Sequence, residues 1–173
     1  MSKLIRLLSL YTGLNELDIE RIINRAPDTY KVYTIAKRNG RGERVISQPA
    51  REVKALQRVL LERLQSLPIH DAAMAYRKGV SIRSNALKHA QSGPIRKYDF
   101  KDFFPSIRGS DWENYCRSRP VFSDPSDIWR SINLFFYRPK GSEVLRLAIG
   151  APSSPWLSNV LMYDFDDAIS RAE

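Results

Sequence analysis

Residues 97–107, reading Lys-Tyr-Asp-Phe-Lys-Asp-Phe-Phe-Pro-Ser-Ile, constrain this chain more than any other stretch. The run over 95–100 predicts a short strand carrying Asp99 near its end. A turn, a second carboxylate at Asp102 and the adjacent rings of Phe103 and Phe104 follow. A carboxylate fixed on a rigid strand can hold Mg²⁺ while the next turn packs against a nucleotide, as metal-assisted phosphoryl transfer requires. The same residues also fit a plain strand end, so the remaining segments decide between the two.

Upstream, residues 3–25 predict a helix with Ile19, Ile22 and Ile23 on one face and Arg21 and Arg25 outside it. Pro27 and Asp28 end it. Runs at 30–36 and 44–47 are β-branched or aromatic and flank Asn39-Gly40-Arg41-Gly42, a strong hairpin signal. Pro49 then opens a predicted helix to about Leu64. Val53, Leu56, Leu60 and Leu64 share one side of it, and Arg51, Lys54 and Arg58 the other. That basic stripe is either a solvated face or a nucleic-acid surface, and both readings stay open at this point.

Farther along, Ala75-Tyr76-Arg77-Lys78-Gly79 reads as a basic loop, and Ser81 as the cap of a helix reaching residue 89 or 90. Gly93-Pro94 breaks the chain before the Asp99 strand. Residues 111–117 and 127–137 predict two helices, the second behind the turn residues Ser123-Asp124-Pro125. Ser154 as cap and Pro155 at the first helical position start a last helix, from Trp156 to about Ile169. It is apolar around most of its circumference until Asp164, which predicts burial.

With 173 residues and 43% hydrophobic content, the chain can bury a core as one domain or as two lobes sharing an interface. A net charge of +9 points to a polyanionic partner. The single cysteine, Cys116, excludes an internal disulfide and suits a reducing, cytoplasmic setting; it reads as a small buried hydrophobe. His70 and His89 lack partners at metal-ligand spacing. Residues 1–10 are broken by Arg6 and Ser9, unlike a signal peptide, and no apolar run approaches a membrane span, so no membrane partner is expected.

In order, these segments resemble the fingers and first half of the palm of a reverse transcriptase, most closely the retron type of bacteria. The likeness runs through Tyr33-Thr34-Ile35-Ala36-Lys37-Arg38-Asn39-Gly40, Arg44-Val45-Ile46-Ser47-Gln48-Pro49, Leu56-Gln57-Arg58 and Ala75-Tyr76-Arg77-Lys78-Gly79-Val80-Ser81-Ile82. Residues 99–107 look like motif A and 150–159 like motif B. The implied fold is α+β, a right-hand polymerase fragment with helices packed on small antiparallel sheets. Fingers and N-terminal helix would occupy 1–94, and a partial palm with an incomplete sheet 95–173. Such a sheet predicts an exposed edge at the Asp99 strand.

The resemblance also assigns roles. Asp99 matches the catalytic aspartate that ligates two Mg²⁺ ions, and the Phe100 carbonyl would complete one metal shell. The backbone after Asp102, at Phe103, would cradle the incoming triphosphate, while the Phe103 ring packs in the core. Phe104 falls at the sugar gate, where a bulky ring excludes a 2′-hydroxyl and so favours dNTPs. Lys37 and Arg44, facing each other across the hairpin, match the cations that grip the β- and γ-phosphates. Arg38 and Arg41 are their substitutes and, with Arg51, Lys54, Arg58, Arg77 and Lys78, the expected nucleic-acid contacts. Gly150 would let the backbone approach the nascent base pair.

Two departures stand out. Ile149 replaces a common nucleotide-contacting Gln, and Ala148 replaces a usual Pro. The Tyr-x-Asp-Asp hairpin that brings the remaining metal ligands is expected beyond Glu173, because Tyr163-Asp164-Phe165-Asp166-Asp167 has the wrong spacing and lies in a predicted helix. The expected parent is an RNA-directed DNA polymerase copying a structured RNA into DNA, possible phage-defence effector included, with these residues alone inactive. The alternatives are a non-catalytic RNA-binding protein, or half of a split enzyme completed in trans.

Overall fold

Left-handed backbone at Gly13, φ 72°, divides the N-terminal segment in two. Helix α1 (Lys3–Thr12) ends there, the Gly13 amide donating to the Ser9 carbonyl at 2.9 Å. Helix α2 (Glu16–Arg25) restarts behind Asn15, whose side chain accepts the Asp18 N–H. The single helix expected over 3–25 is thus two, because a glycine stop followed by an Asn cap outweighs the shared apolar periodicity. The computed structural model describes residues 2–37, 40, 42–91 and 93–171.

A 3₁₀ turn over Ala26–Asp28 leads into the one sheet among the described residues, the antiparallel pair β1 (Tyr30–Ala36) and β2 (Glu43–Pro49). Its register runs from Tyr30 opposite Pro49 to Ala36 opposite Glu43. Pro49 therefore closes the ladder instead of opening a helix, at a strand end where a missing N–H costs little. Helix α3 (Arg51–Arg63) follows. Val53, Leu56, Leu60 and Leu64 are buried as their spacing predicts, Arg51 and Arg58 are exposed, and Lys54 is half-buried.

Helix α4 (Ile82–His89) starts at a capping box in which Ser81 and Ser84 satisfy each other's amides. Next come the single turn α5 (Phe103–Ser106), then α6 (Gly109–Ser118) and α7 (Pro125–Phe135), which is capped by Asp124 and starts two residues before the expected 127. The helix expected over 156–169 is broken at Met162 into α8 (Ser154–Leu161) and α9 (Tyr163–Arg171). Trp156, Leu157 and Val160 are buried, whereas α9 carries three aspartates and exposes Phe165 and Ile169, so one buried face does not run through both. Ser153 takes the cap position, and the Ser154 hydroxyl instead donates to the Ala148 carbonyl at 2.7 Å.

The strand expected over 95–100 does not form. Every residue of that segment is exposed, and among the described residues no backbone hydrogen bond reaches it. A strand exists only through its ladder, so the sequence pattern without a partner leaves an irregular segment. Beyond residue 94, pairing among the described residues is two isolated bridges, from Arg146 to Arg108 and to Tyr137.

One hydrophobic cluster serves both halves of the chain. It joins Leu8, Ile19, Ile23 and Leu56 to Trp112, Leu134, Phe135 and Leu157. Trp112 stacks on Tyr115 at 5.5 Å and meets Phe135 edge-on at 6.1 Å, pairs worth about 1 kcal/mol each beyond their burial. Fully buried Gln57 crosses the seam, donating from Nε2 to the Leu134 carbonyl at 2.7 Å and to the Tyr30 hydroxyl at 3.1 Å. Burial holds the Tyr30 hydroxyl well above the ordinary tyrosine range. Elements from the first and second halves of the chain are therefore packed on one core.

Candidate functional site

Backbone hydrogen bonds along residues 145–149 assemble the site. The Gly109 amide donates to the Leu145 carbonyl at 2.9 Å, and the Leu147 amide to the Ile107 carbonyl at 3.0 Å, which fixes the end of the α5 turn. The Arg146 guanidinium adds a bond to the Pro105 carbonyl at 2.8 Å. At the far end of this strip, the Ser47 amide of β2 donates to the Ile149 carbonyl at 2.7 Å. One short strip thus holds both the hairpin and the aromatic turn.

Between them lies a cleft of about 1030 Å³. From the hairpin side it is lined by Lys37, Glu43, Arg44, Val45 and Ser47. Asp99, Phe100, Lys101, Asp102, Phe103 and Phe104 form the opposite wall, and Tyr76, Tyr137, Arg146 and Ile149 close it. The cleft mixes four cations (Lys37, Arg44, Lys101, Arg146) with three carboxylates (Glu43, Asp99, Asp102). An anionic ligand can be met on its hairpin side while Asp99 stays available to a cation.

Local geometry explains the wall. Asp102 has φ 49° and ψ 45°, left-handed values that Asp tolerates better than most residues, and it turns the chain into α5. The Ser106 amide returns to the Asp102 carbonyl at 2.9 Å. Phe100 stacks on Phe103 at 5.4 Å, and Phe103 lies 5.5 Å from Phe104. Asp99 is exposed and has no ion pair or hydrogen-bond partner among the described residues. No group of three or more His, Cys, Asp or Glu among those residues could hold a metal ion.

Most of the residues singled out for nucleotide or metal contact meet here: Lys37, Arg44, Asp99, Phe100, Asp102, Phe103 and Phe104. Lys37 and Arg44 are not directly opposite, however. Arg44 pairs with Ile35, and the Lys37 amide bonds the Gly42 carbonyl at 3.0 Å, so the two cations are diagonal neighbours on one face. Gly150 is not among the lining residues. It packs on β2, where an added β-carbon would lie 2.9 Å from Ile46 Cγ2 and 3.1 Å from the Ser47 carbonyl oxygen.

The expected nucleic-acid contacts lie elsewhere. Arg51, Lys54 and Arg58 line α3, and Lys78 is exposed in its loop, none of them in the cleft. Arg77 is tied to Asp71 at 3.4 Å and to the His70 carbonyl at 3.3 Å. Arg38 and Arg41 lie outside the described residues. Residues 163–167 are helical, with Asp164 paired to Arg119 and Asp167 to Arg171. Sequence reasoning missed Tyr76, Tyr137 and Arg146; only Tyr76 carried a signal, as the aromatic residue inside a basic loop.

Comparison with known proteins gives a consistent picture. The family described as reverse transcriptase (RNA-dependent DNA polymerase) matches residues 35–173. The chain is 40% identical over 157 residues to the Retron Ec83 reverse transcriptase of Escherichia coli, covering 88% of this chain and 50% of that protein. It is 36% identical to the Retron Ec73 reverse transcriptase of Escherichia coli, covering 86% and 48%. To the Retron Mx162 reverse transcriptase of Myxococcus xanthus it is 34% identical, covering 82% and 31%. The chain spans half or less of the length of these relatives.

Proposed function

The chain belongs to the reverse transcriptase (RNA-dependent DNA polymerase) family, and from that premise we propose that it supplies the fingers and first half of the palm of a retron-type enzyme. The parent protein would copy a structured RNA into DNA. One observation carries this reading: a single cleft brings Lys37 and Arg44 of the hairpin against Asp99, Asp102 and Phe104, residues far apart in sequence. A binding module would not need that convergence.

Each group has a defined task. Lys37 and Arg44, on one face, bind the triphosphate as a point charge and a bidentate fork. The turn after Asp102 orients it through backbone groups, and the Phe104 ring excludes a 2′-hydroxyl. Asp99 suits Mg²⁺: it is an oxygen donor, exposed to the cleft and free of competing protein partners among the described residues. Mg²⁺ is commonly held by one or two carboxylates plus substrate phosphates, so a dedicated protein cage is not required. The Phe100 carbonyl would be the second donor. Bound metal would supply charge stabilisation at the α-phosphate and at the departing pyrophosphate.

With one such carboxylate, residues 1–173 by themselves are proposed not to polymerise. Phe165 and Ile169, exposed on α9, favour a further surface packing there, which a continuing chain or a separate one could provide. Arg51, Lys54, Arg58 and Lys78 are proposed to meet the template–primer backbone. Work in the cytoplasm, supported by the lone Cys116, and in phage defence beside an effector protein, supported by the retron likeness alone, belong to the same proposal. No described helix is long and apolar enough to cross a membrane.

The test is templated synthesis by the natural full-length protein, given a structured RNA, dNTPs and Mg²⁺. DNA complementary to the RNA is expected. Salt-sensitive RNA binding without any DNA product would instead overturn the self-sufficient polymerase and leave the RNA-binding and split-enzyme readings.

A further inference from the structure

Two non-glycine residues among those described have positive φ, Asp102 at 49° and Tyr76 at 59°. Both line the cleft; Asp102 caps the turn that carries Phe104, and the Tyr76 ring lies against the Phe104 ring. Asp adopts this conformation readily, but for a bulky aromatic residue it is a steric outlier. Burial does not account for it, since Tyr76 is 65% exposed. What the conformation achieves is a ring contact: Tyr76 and Phe104 lie 6.3 Å apart, centroid to centroid, at 41°.

The residues on either side of Tyr76 are tied down. Asn159 of α8 donates from Nδ2 to the Ala75 carbonyl at 2.8 Å. Arg77 donates to the His70 carbonyl at 3.3 Å and pairs with Asp71. A disfavoured backbone persists only where its surroundings over-determine it, and such sites cluster where function needs them. Phe104 consequently has two ring neighbours, Phe103 at 5.5 Å and Tyr76 at 6.3 Å.

We propose that Tyr76 is a specificity-determining positioning residue: its ring, held by the anchored 75–77 loop, keeps Phe104 from swinging out of the path of a nucleotide 2′-hydroxyl. The inference rests on the reading of Phe104 as the sugar gate. A gate ring excludes a hydroxyl only while it has no free rotamer to retreat into. The contact is made by the ring, so the phenolic hydroxyl is dispensable to it.

The test measures kcat/KM for a dNTP and for the matching rNTP in the natural full-length protein. Tyr76→Gly suits positive φ and removes the whole side chain; Tyr76→Phe keeps the ring. Discrimination against the rNTP should fall about tenfold in Tyr76→Gly, equal to about 1.4 kcal/mol, and match wild type in Tyr76→Phe. Wild-type discrimination in Tyr76→Gly, alongside its loss in Phe104→Ala, would overturn the inference and leave the polymerase reading standing. Equal loss in Tyr76→Gly and Tyr76→Phe would overturn the ring-packing account. Unchanged discrimination in Phe104→Ala would remove the gate itself, and absence of nucleotide incorporation in the wild type would overturn the polymerase reading and this inference with it.

Discussion

The Ser47 amide donates to the Ile149 carbonyl at 2.7 Å, joining the hairpin that carries Arg44 to the loop that enters α8. The contact is possible because the next residue is glycine. At Gly150, φ is 120°, and a β-carbon would lie 2.9 Å from Ile46 Cγ2 and 3.1 Å from the Ser47 carbonyl oxygen. Gly150→Ala should therefore cost about 3 kcal/mol, combining backbone strain with overpacking. In a thermal melt the midpoint should drop by roughly 6–12 °C. An unchanged midpoint would mean that the loop does not dock on β2 as described.

Phe104 is half-buried, has the Phe103 and Tyr76 rings as neighbours and lines the cleft. Replacing it with alanine should raise rNTP incorporation relative to dNTP by at least about tenfold, or about 1.4 kcal/mol. Single-nucleotide extension with each sugar gives the ratio directly. A preserved preference would place sugar selection elsewhere.

Asp127 is 2% exposed and pins the N-terminal helix to α7. It accepts the Leu4 amide at 3.2 Å, the Ser2 hydroxyl, and Arg130 Nη1 at 3.2 Å, while Arg130 also holds Glu20. Asp127→Ala leaves a buried amide and a partly buried guanidinium short of an acceptor. The expected loss is about 3 kcal/mol. Hydrogen exchange should show α1 opening at lower free energy than α7, whereas uniform protection would contradict the pinning role.

Burial pushes the Cys116 thiol up from 9.0 to about 12. The folded protein therefore keeps a proton that the unfolded chain releases above about pH 9, so this contribution is intact below that pH and is lost as pH rises toward 12. Stability of the wild type should fall between these limits more steeply than that of Cys116→Ala. Alkylation at pH 8 should be negligible in the native protein and rapid in denaturant. Fast native alkylation would show the thiol to be accessible.

How far the sequence carries depends on whether the signal is local. The isoleucines of α2, the leucine stripe of α3, the Ser81 cap and the pairing of β1 with β2 are set by neighbours in sequence, and all appear where their spacing puts them. Gly13 and Met162 mark helix breaks that periodicity passes over, since caps act on single residues. The segment at 95–100 has a strand's composition but no described partner, a non-local condition. In the cleft, Asp99 and Phe104 were legible from their motif. Tyr137 and Arg146 reach it only through tertiary contacts, the latter by way of the Pro105 carbonyl.

Asp99 is proposed to serve chemistry and not structure. It is exposed and carries no hydrogen bond or ion pair among the described residues, so Asp99→Asn should shift stability by less than about 0.5 kcal/mol. The decisive measurement is RNA-templated DNA synthesis by the natural full-length protein with this single substitution, alongside its melting curve. Synthesis should be lost with the melting curve unchanged. Synthesis at the wild-type rate would contradict it.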